Sequence, residues 1–105
     1  MAALTIITLN TGNSMLLGGL LSIIRIENPD IVLLQETTGQ LQLFVAKFGY
    51  SAQANTDILD ITRLGTGFIW KSELPVSEVT SVVDCRAQLA RVGPYHLLNV
   101  YAPSH

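Results

Sequence analysis

Apolar residues in the first half of the chain follow first a strand pattern and then a helix pattern. Residues 4–9 form a β-branched apolar run that stops at a cluster of Asn and Gly, which predicts a strand entering a loop. Leu and Ile then recur at helical spacing over residues 16–24, and Pro29 disfavours helical residues directly before it. Residues 31–34 are a second apolar run without polar alternation, so both runs predict strands covered on two faces. This order of strand, helix and strand predicts a sheet covered by helices.

The second half consists of shorter runs separated by turn-forming residues. Helical spacing over residues 40–48, with Gly49 at its end, predicts a second helix. Five strand candidates follow, at residues 50–54, 66–70, 76–83, 87–92 and 95–101. Asn, Gly and Pro between them predict antiparallel hairpins. We therefore expect a single unit of mixed α and β character.

Composition narrows the class of protein. With 105 residues the chain is one small domain at most, and 49% hydrophobic against 13% charged residues excludes a disordered composition. Six basic and eight acidic residues leave a net charge of −2, so there is no global positive field to attract nucleic acid or an anionic membrane. Any binding of phosphate must therefore be local.

The uncharged amino-terminal segment, residues 1–24, raises the question of a signal peptide or a membrane span. A polar cluster at residues 10–14 divides it, and the uninterrupted apolar part, residues 15–24, is half the length that a membrane-spanning helix needs. We therefore expect neither a signal peptide nor a membrane span, and no membrane partner.

The single cysteine, Cys85, cannot form an internal disulfide, which favours a reducing compartment. The expected location is therefore intracellular, either nuclear or cytoplasmic.

Two predicted strands end in polar groups that could carry chemistry. Asn10 closes the first strand and Glu36 follows the second. If these strands are parallel neighbours, both side chains reach the carboxyl edge of the sheet, where ligands bind in open sheets with helical crossovers. Taken alone, a residue such as Asn10 more often starts a turn and one such as Glu36 is more often a solvated acid.

Three segments carry a resemblance to a known family: residues 6–10, residues 31–37 with Gln-Glu-Thr at their end, and residues 97–104 with Asn-Val-Tyr-Ala-Pro-Ser. Together with the Gly-containing segment 65–70, they resemble the amino-terminal half of the endonuclease/exonuclease/phosphatase superfamily. Within it they are most similar to the apurinic-type endonuclease domain of non-LTR (LINE-like) retrotransposons. The resemblance covers residues 1–105 and implies an α/β (α+β) fold. It implies roughly the first half of a four-layer sandwich of the DNase I-like type, with a mixed sheet and two helices on one face.

The resemblance also implies a site. Glu36 would ligate a divalent metal, Mg²⁺ or its substitute Mn²⁺, and Asn10 would lie beside it. Tyr101 would present its phenol to the scissile phosphate, and we name Arg63 as a further phosphate contact. These roles suit metal-dependent hydrolysis of a phosphodiester, with nicking of DNA as the activity of the complete domain. A reverse transcriptase further along the same polypeptide is an implied partner.

The family's water-activating Asp and its catalytic His have no counterpart in this sequence. We expect His96 to be a partly buried strand residue, and His105 is the last residue. Because a positioned general base contributes about 10²- to 10⁴-fold, or roughly 3–5 kcal/mol of barrier, we expect little activity from the isolated chain. A half-domain would also expose the inner face of its sheet, which predicts self-association.

Three alternatives remain open. A receiver-like signalling domain resembles residues 28–34, but it needs an acidic pair after the first strand and an aspartate after this one, where the sequence has Asn10 and Gln35-Glu36. A truncated remnant that cleaves nothing is a second alternative. A superfamily phosphatase or exonuclease that acts on another phosphoester is the third.

Overall fold

The computed structural model describes residues 3–11, 17–37, 45–55, 65–83 and 86–101, and these form one helix, a short 3₁₀ helix and seven strands. In chain order they are β1 (Ile6–Asn10), α1 (Leu17–Glu27), β2 (Ile31–Thr37), the 3₁₀ helix (Ala46–Phe48), β3 (Tyr50–Asn55), β4 (Gly65–Lys71), β5 (Val76–Val83), β6 (Ala87–Val92) and β7 (Tyr95–Val100). The predicted strands are confirmed, and β5 and β6 have the predicted bounds. Of the predicted helix at 40–48, the described part is its end, a 3₁₀ turn closed by Gly49 at φ 83°, and residues 40–44 lie outside the described residues.

The strands form two sheets. The first has the order β1-β2-β4-β3, and the second has the order β5-β6-β7. β1 and β2 are parallel, with Asn10 opposite Gln35, whereas every other described pairing is antiparallel. The helical crossover through α1 allows that parallel pair. The first sheet is therefore mixed, as expected.

The outer face of the first sheet packs against α1. Leu20 and Ile24 of the helix are buried against Val32, Leu34 and Ile69 of the sheet. The helix ends at Glu27, in agreement with the effect of Pro29 on the residues before it. One side of this sheet is therefore a closed apolar layer.

The inner face of the first sheet is covered by the second sheet. Ile31 and Phe68 of the first sheet pack against Ala90 and Val92 of the second, and all four are at most 1% exposed. The expectation that this face would be open is therefore wrong for the described residues, because the hairpins β5-β6-β7 fold back over it. The prediction that both faces of β1 are covered is also wrong, because β1 is an edge strand whose Ile6 is 42% exposed.

The outer face of the second sheet is exposed, and His96 lies on it. Leu97 and Asn99 point towards the first sheet, so the alternate residues His96, Leu98 and Val100 point outwards. His96 is exposed rather than partly buried. Leu89 of β6 lies opposite Leu98 on this face, which is apolar at its centre.

No helix within the described ranges is long and apolar enough to cross a membrane. Cys85 lies outside the described residues.

Candidate active site

Two predicted site residues meet where the carboxyl edge of the first sheet lies beside the end of β7. Glu36 follows Gln35, whose partner in the parallel ladder is Asn10, and Tyr101 comes directly after β7. The Tyr101 phenol lies close enough to the Glu36 carboxylate for the two groups to interact. Asn10 is exposed at the end of β1, the neighbouring strand. The fold thus joins Glu36 to Tyr101 and places Asn10 at the same edge.

Glu36 is the extra residue of a β-bulge. Gln35 pairs with Thr66 and Thr37 pairs with Gly65, so the register of β2 against β4 shifts at Glu36. Its φ is 55°, in the left-handed region that residues with a side chain seldom adopt. A bulge re-aims a side chain relative to its strand, and the bulged residue here is the one whose carboxylate interacts with Tyr101.

Thr11 holds this unusual backbone from the neighbouring strand. Its hydroxyl donates to the Glu36 carbonyl at 2.7 Å and to the Gln35 carbonyl at 3.3 Å. Its backbone N–H also donates to the Gln35 carbonyl, at 3.0 Å. Thr37, on the other side of the bulge, is 1% exposed and anchors the strand in the core. The strain at Glu36 is therefore held by contacts on both sides.

Behind the bulge, a polar bridge joins the two sheets. The Gln35 amide donates to the Thr8 hydroxyl at 3.0 Å and to the side-chain oxygen of Asn99 at 2.8 Å. Gln35 and Asn99 lie within the family-like segments, but no pattern in the sequence predicted their hydrogen bonds or the role of Thr11. One signal was available, because Asn99 is a polar residue at an inward position of an otherwise apolar strand.

The electrostatics of the site favour a neutral Tyr101. Burial raises the pKa of the Tyr101 phenol, and the charge and hydrogen bond of Glu36 raise it further, whereas Arg86 lowers it. Tyr101 therefore keeps its proton at neutral pH and is a hydrogen-bond donor. Arg86, whose carbonyl accepts the Tyr101 N–H at 2.7 Å, adds an exposed cation beside the site.

The available ligands limit which metal the site could hold. Among the described residues, no group of three or more His, Cys, Asp or Glu side chains is placed to hold a metal ion. A zinc site with four protein ligands therefore does not fit here. One carboxylate, Glu36, with the nearby amide of Asn10, does fit Mg²⁺, which keeps several waters and takes further oxygens from a substrate phosphate.

Of the remaining candidates, His96 is not brought to this site. His96 lies near the start of β7, away from Tyr101, and points to the outer face of the second sheet. Arg63 and His105 lie outside the described residues.

No protein-family model matches the sequence, and no curated protein matches it significantly. Solved structures do match. A 3′ phosphatase, NExo, from Neisseria, bound to a product DNA hairpin, superposes with a TM-score of 0.76 at 18% identity, covering 94% of this chain and 41% of that one. An AP endonuclease from Archaeoglobus fulgidus gives 0.74 at 22% identity, covering 96% and 42%. Truncated TDP2 from Caenorhabditis elegans gives 0.70 at 19% identity, covering 97% and 47%.

This chain has the DNase I-like fold. A 3′ phosphatase, an AP endonuclease and TDP2 thus share the fold of this chain. The chain spans less than half the length of each of the three. The described structure is therefore a part of that fold.

Proposed function

We propose that this chain is the amino-terminal half of a divalent-metal-dependent phosphodiesterase whose complete domain nicks DNA. The observation that carries the proposal is the contact between Glu36 and Tyr101 at the carboxyl edge of a DNase I-like sheet. A carboxylate that binds a metal ion can hold a phosphate through that ion, and a neutral phenol beside it can stabilise the negative charge of the phosphate. The DNA hairpin bound to the Neisseria 3′ phosphatase supports DNA as the substrate.

In this proposal Glu36 and Asn10 hold the cation. Bound Mg²⁺ polarises a phosphoryl oxygen and stabilises the negative charge that develops on it. The Asn10 amide adds a neutral ligand or donor without a second negative charge that would repel the phosphate. The exposed end of β1 leaves room for a substrate at Asn10.

Tyr101 donates its O–H to a non-bridging phosphate oxygen as charge builds there. The raised pKa of Tyr101 keeps this proton on the phenol throughout the neutral range. When phosphate arrives, the interaction of Tyr101 with Glu36 is exchanged for a hydrogen bond to the substrate. Arg86 contributes a nearby positive charge that attracts phosphate.

This chain supplies binding and orientation, and we assign activation of water to the remainder of the parent domain. His96 cannot serve as the base, since it faces away from Glu36 on the outer face of the second sheet. We therefore expect the isolated chain to bind metal and to cleave little. The retrotransposon type is part of the proposal and rests on the Asn-Val-Tyr-Ala-Pro-Ser segment. It implies an intracellular protein and a reverse transcriptase in the same polypeptide.

Binding of Mn²⁺ to the isolated chain tests the site without requiring cleavage. Paramagnetic broadening of amide resonances should centre on Asn10, Glu36 and Tyr101 and should be competed by Mg²⁺. Glu36→Gln should remove it, whereas Glu78→Gln, at an exposed glutamate on β5, should not. Broadening that survives Glu36→Gln would contradict the assignment of the ligand.

Sequencing the transcript beyond the codon for His105 separates the enzyme from a remnant. An open frame that continues into Asp-x-Asn and Ser-Asp-His segments supports the endonuclease. A stop codon directly after His105 supports the remnant. A complete domain that removes 3′ phosphates from oligonucleotides but leaves supercoiled plasmid intact would favour the phosphatase alternative.

Self-association of the isolated chain stays part of the proposal. The surface available for it is the exposed apolar centre on the outer face of the second sheet, formed by Leu89, Leu98 and Val100. We expect sedimentation velocity to show species larger than a monomer. A single monomeric species across the accessible concentrations would contradict this part.

A further inference from the structure

The side-chain amide of Asn99 is buried and fully hydrogen-bonded. It is 1% exposed, and its nitrogen donates to the carbonyls of Leu34 and Gly67, both at 3.0 Å. Its oxygen accepts from Gln35 at 2.8 Å. Both N–H donors and the acceptor are therefore used, which fixes the orientation of the amide.

These bonds attach Asn99 to both segments that carry site residues. Leu34 and Gly67 lie opposite each other in the ladder of β2 and β4, just before the register shifts at Glu36. On its own strand, Asn99 lies close before Tyr101. A side chain of the second sheet is thus tied to the backbone that precedes the bulge, and it fixes the end of β7 relative to that bulge.

We propose that Asn99 is a positioning residue that sets the contact between Tyr101 and Glu36. The inference rests on the proposed function, because that contact is where metal and phosphate would be bound. Without the amide, two buried carbonyls each lose one donor and Gln35 loses one of its acceptors. Because buried polar groups must find new partners, the backbone around the bulge rearranges and Tyr101 separates from Glu36.

Gln88 provides a matched control on the neighbouring strand. It lies opposite Asn99 in register, is 0% exposed, and donates through its own amide to the Gln53 carbonyl at 2.9 Å. That bond also joins the two sheets, but it reaches β3, the edge strand farthest from β1. Among the described residues the amide oxygen of Gln88 has no hydrogen-bond partner, so Gln88 makes fewer bonds than Asn99, and the comparison therefore measures the geometry at Glu36 and not the stability of the two variants.

The experiment compares Asn99→Leu with Gln88→Met in the isotope-labelled full chain without metal. Two NMR signals are measured: the NOEs between the Tyr101 ring and the Glu36 side chain, and the strong intraresidue HN–Hα NOE that a positive φ gives Glu36. We expect Asn99→Leu to lose the first and weaken the second. Gln88→Met should retain both. Folded Asn99→Leu with both signals unchanged would overturn the proposal, as would equal losses in the two variants.

A milder variant covers the case in which Asn99→Leu does not fold. Gln35→Met removes the bond that orients the Asn99 amide and leaves its two bonds to carbonyls in place. We expect a partial loss of the NOEs between Tyr101 and Glu36, and no loss would again overturn the inference. Neither readout involves a metal. If the unchanged chain fails to bind Mn²⁺ but the Asn99 and Gln35 variants lose these NOEs, the proposed function is rejected and the positioning role of Asn99 is retained.

Discussion

The left-handed backbone of Glu36 leads to a prediction about stability. We compare two variants that both lack the carboxylate, Glu36→Ala and Glu36→Gly. Both lose the interaction with Tyr101, so that loss cancels in the comparison. At φ 55° the Cβ of alanine keeps the strain, whereas glycine adopts this conformation without steric cost.

The magnitude follows from two opposing terms. A residue with a Cβ costs about 1–2 kcal/mol in the left-handed region, and glycine adds about 0.4–1 kcal/mol of entropy to the unfolded chain. Glu36→Gly should therefore be more stable than Glu36→Ala by about 0.5–1 kcal/mol, or about 2–8 °C in Tm for a domain of this size. Urea unfolding at constant m value measures the difference in free energy of unfolding.

Gly49 calibrates the comparison with the reverse substitution. Its φ is 83°, and a Cβ built there meets no atom within 4 Å, so Gly49→Ala adds strain without a clash. It should lower the free energy of unfolding by a similar amount. If Gly49→Ala behaves in this way and Glu36→Ala is nevertheless as stable as Glu36→Gly, then the backbone of Glu36 is not strained and the reasoning is refuted.

Three further predictions concern the core, the phenol and alkaline pH. Phe68→Ala, at a fully buried position between the sheets, should cost about 3–5 kcal/mol of the free energy of unfolding; a loss under 1 kcal/mol in urea titrations would contradict the packing. Tyr101→Phe in the complete domain should slow single-turnover cleavage more than it weakens DNA binding, and an unchanged rate would remove its role. Burial first, and then Asp30 and Glu73, raise the pKa of Tyr50 above its ordinary value of 10.0, so the folded state holds this proton longer than the unfolded state does. The contribution of Tyr50 to stability should therefore be constant below about pH 10 and fall above it, so the fall should be smaller in Tyr50→Phe; an identical pH dependence in the two proteins would contradict this.

Local patterns in the sequence predicted most of the strands, because each carries its own apolar run and turn residues. β2 is longer than predicted, since Gln35 and Thr37 look like residues beyond a strand but are paired with β4. Their pairing depends on contacts from another sheet. Asn99, distant in sequence, supplies the partner that makes a polar continuation of β2 possible.

The position of the second sheet could not be predicted for a similar reason. Short hairpins indicate antiparallel pairing but do not say which surface they cover, and here they cover Ile31 and Phe68. The meeting of Glu36 and Tyr101 depends on the same packing. The residues of the candidate site came from family-like motifs, whereas the bulge and the bonds behind it are properties of the folded chain.

The most direct test of the central proposal is Mg²⁺-dependent nicking of supercoiled plasmid by the complete parent domain. We expect the parent domain to convert supercoiled plasmid to open circles when Mg²⁺ is present and not when it is chelated. Glu36→Gln should abolish this conversion with the fold intact, and Glu78→Gln should leave it unchanged. Full activity in Glu36→Gln, or equal nicking with and without Mg²⁺, would contradict the account.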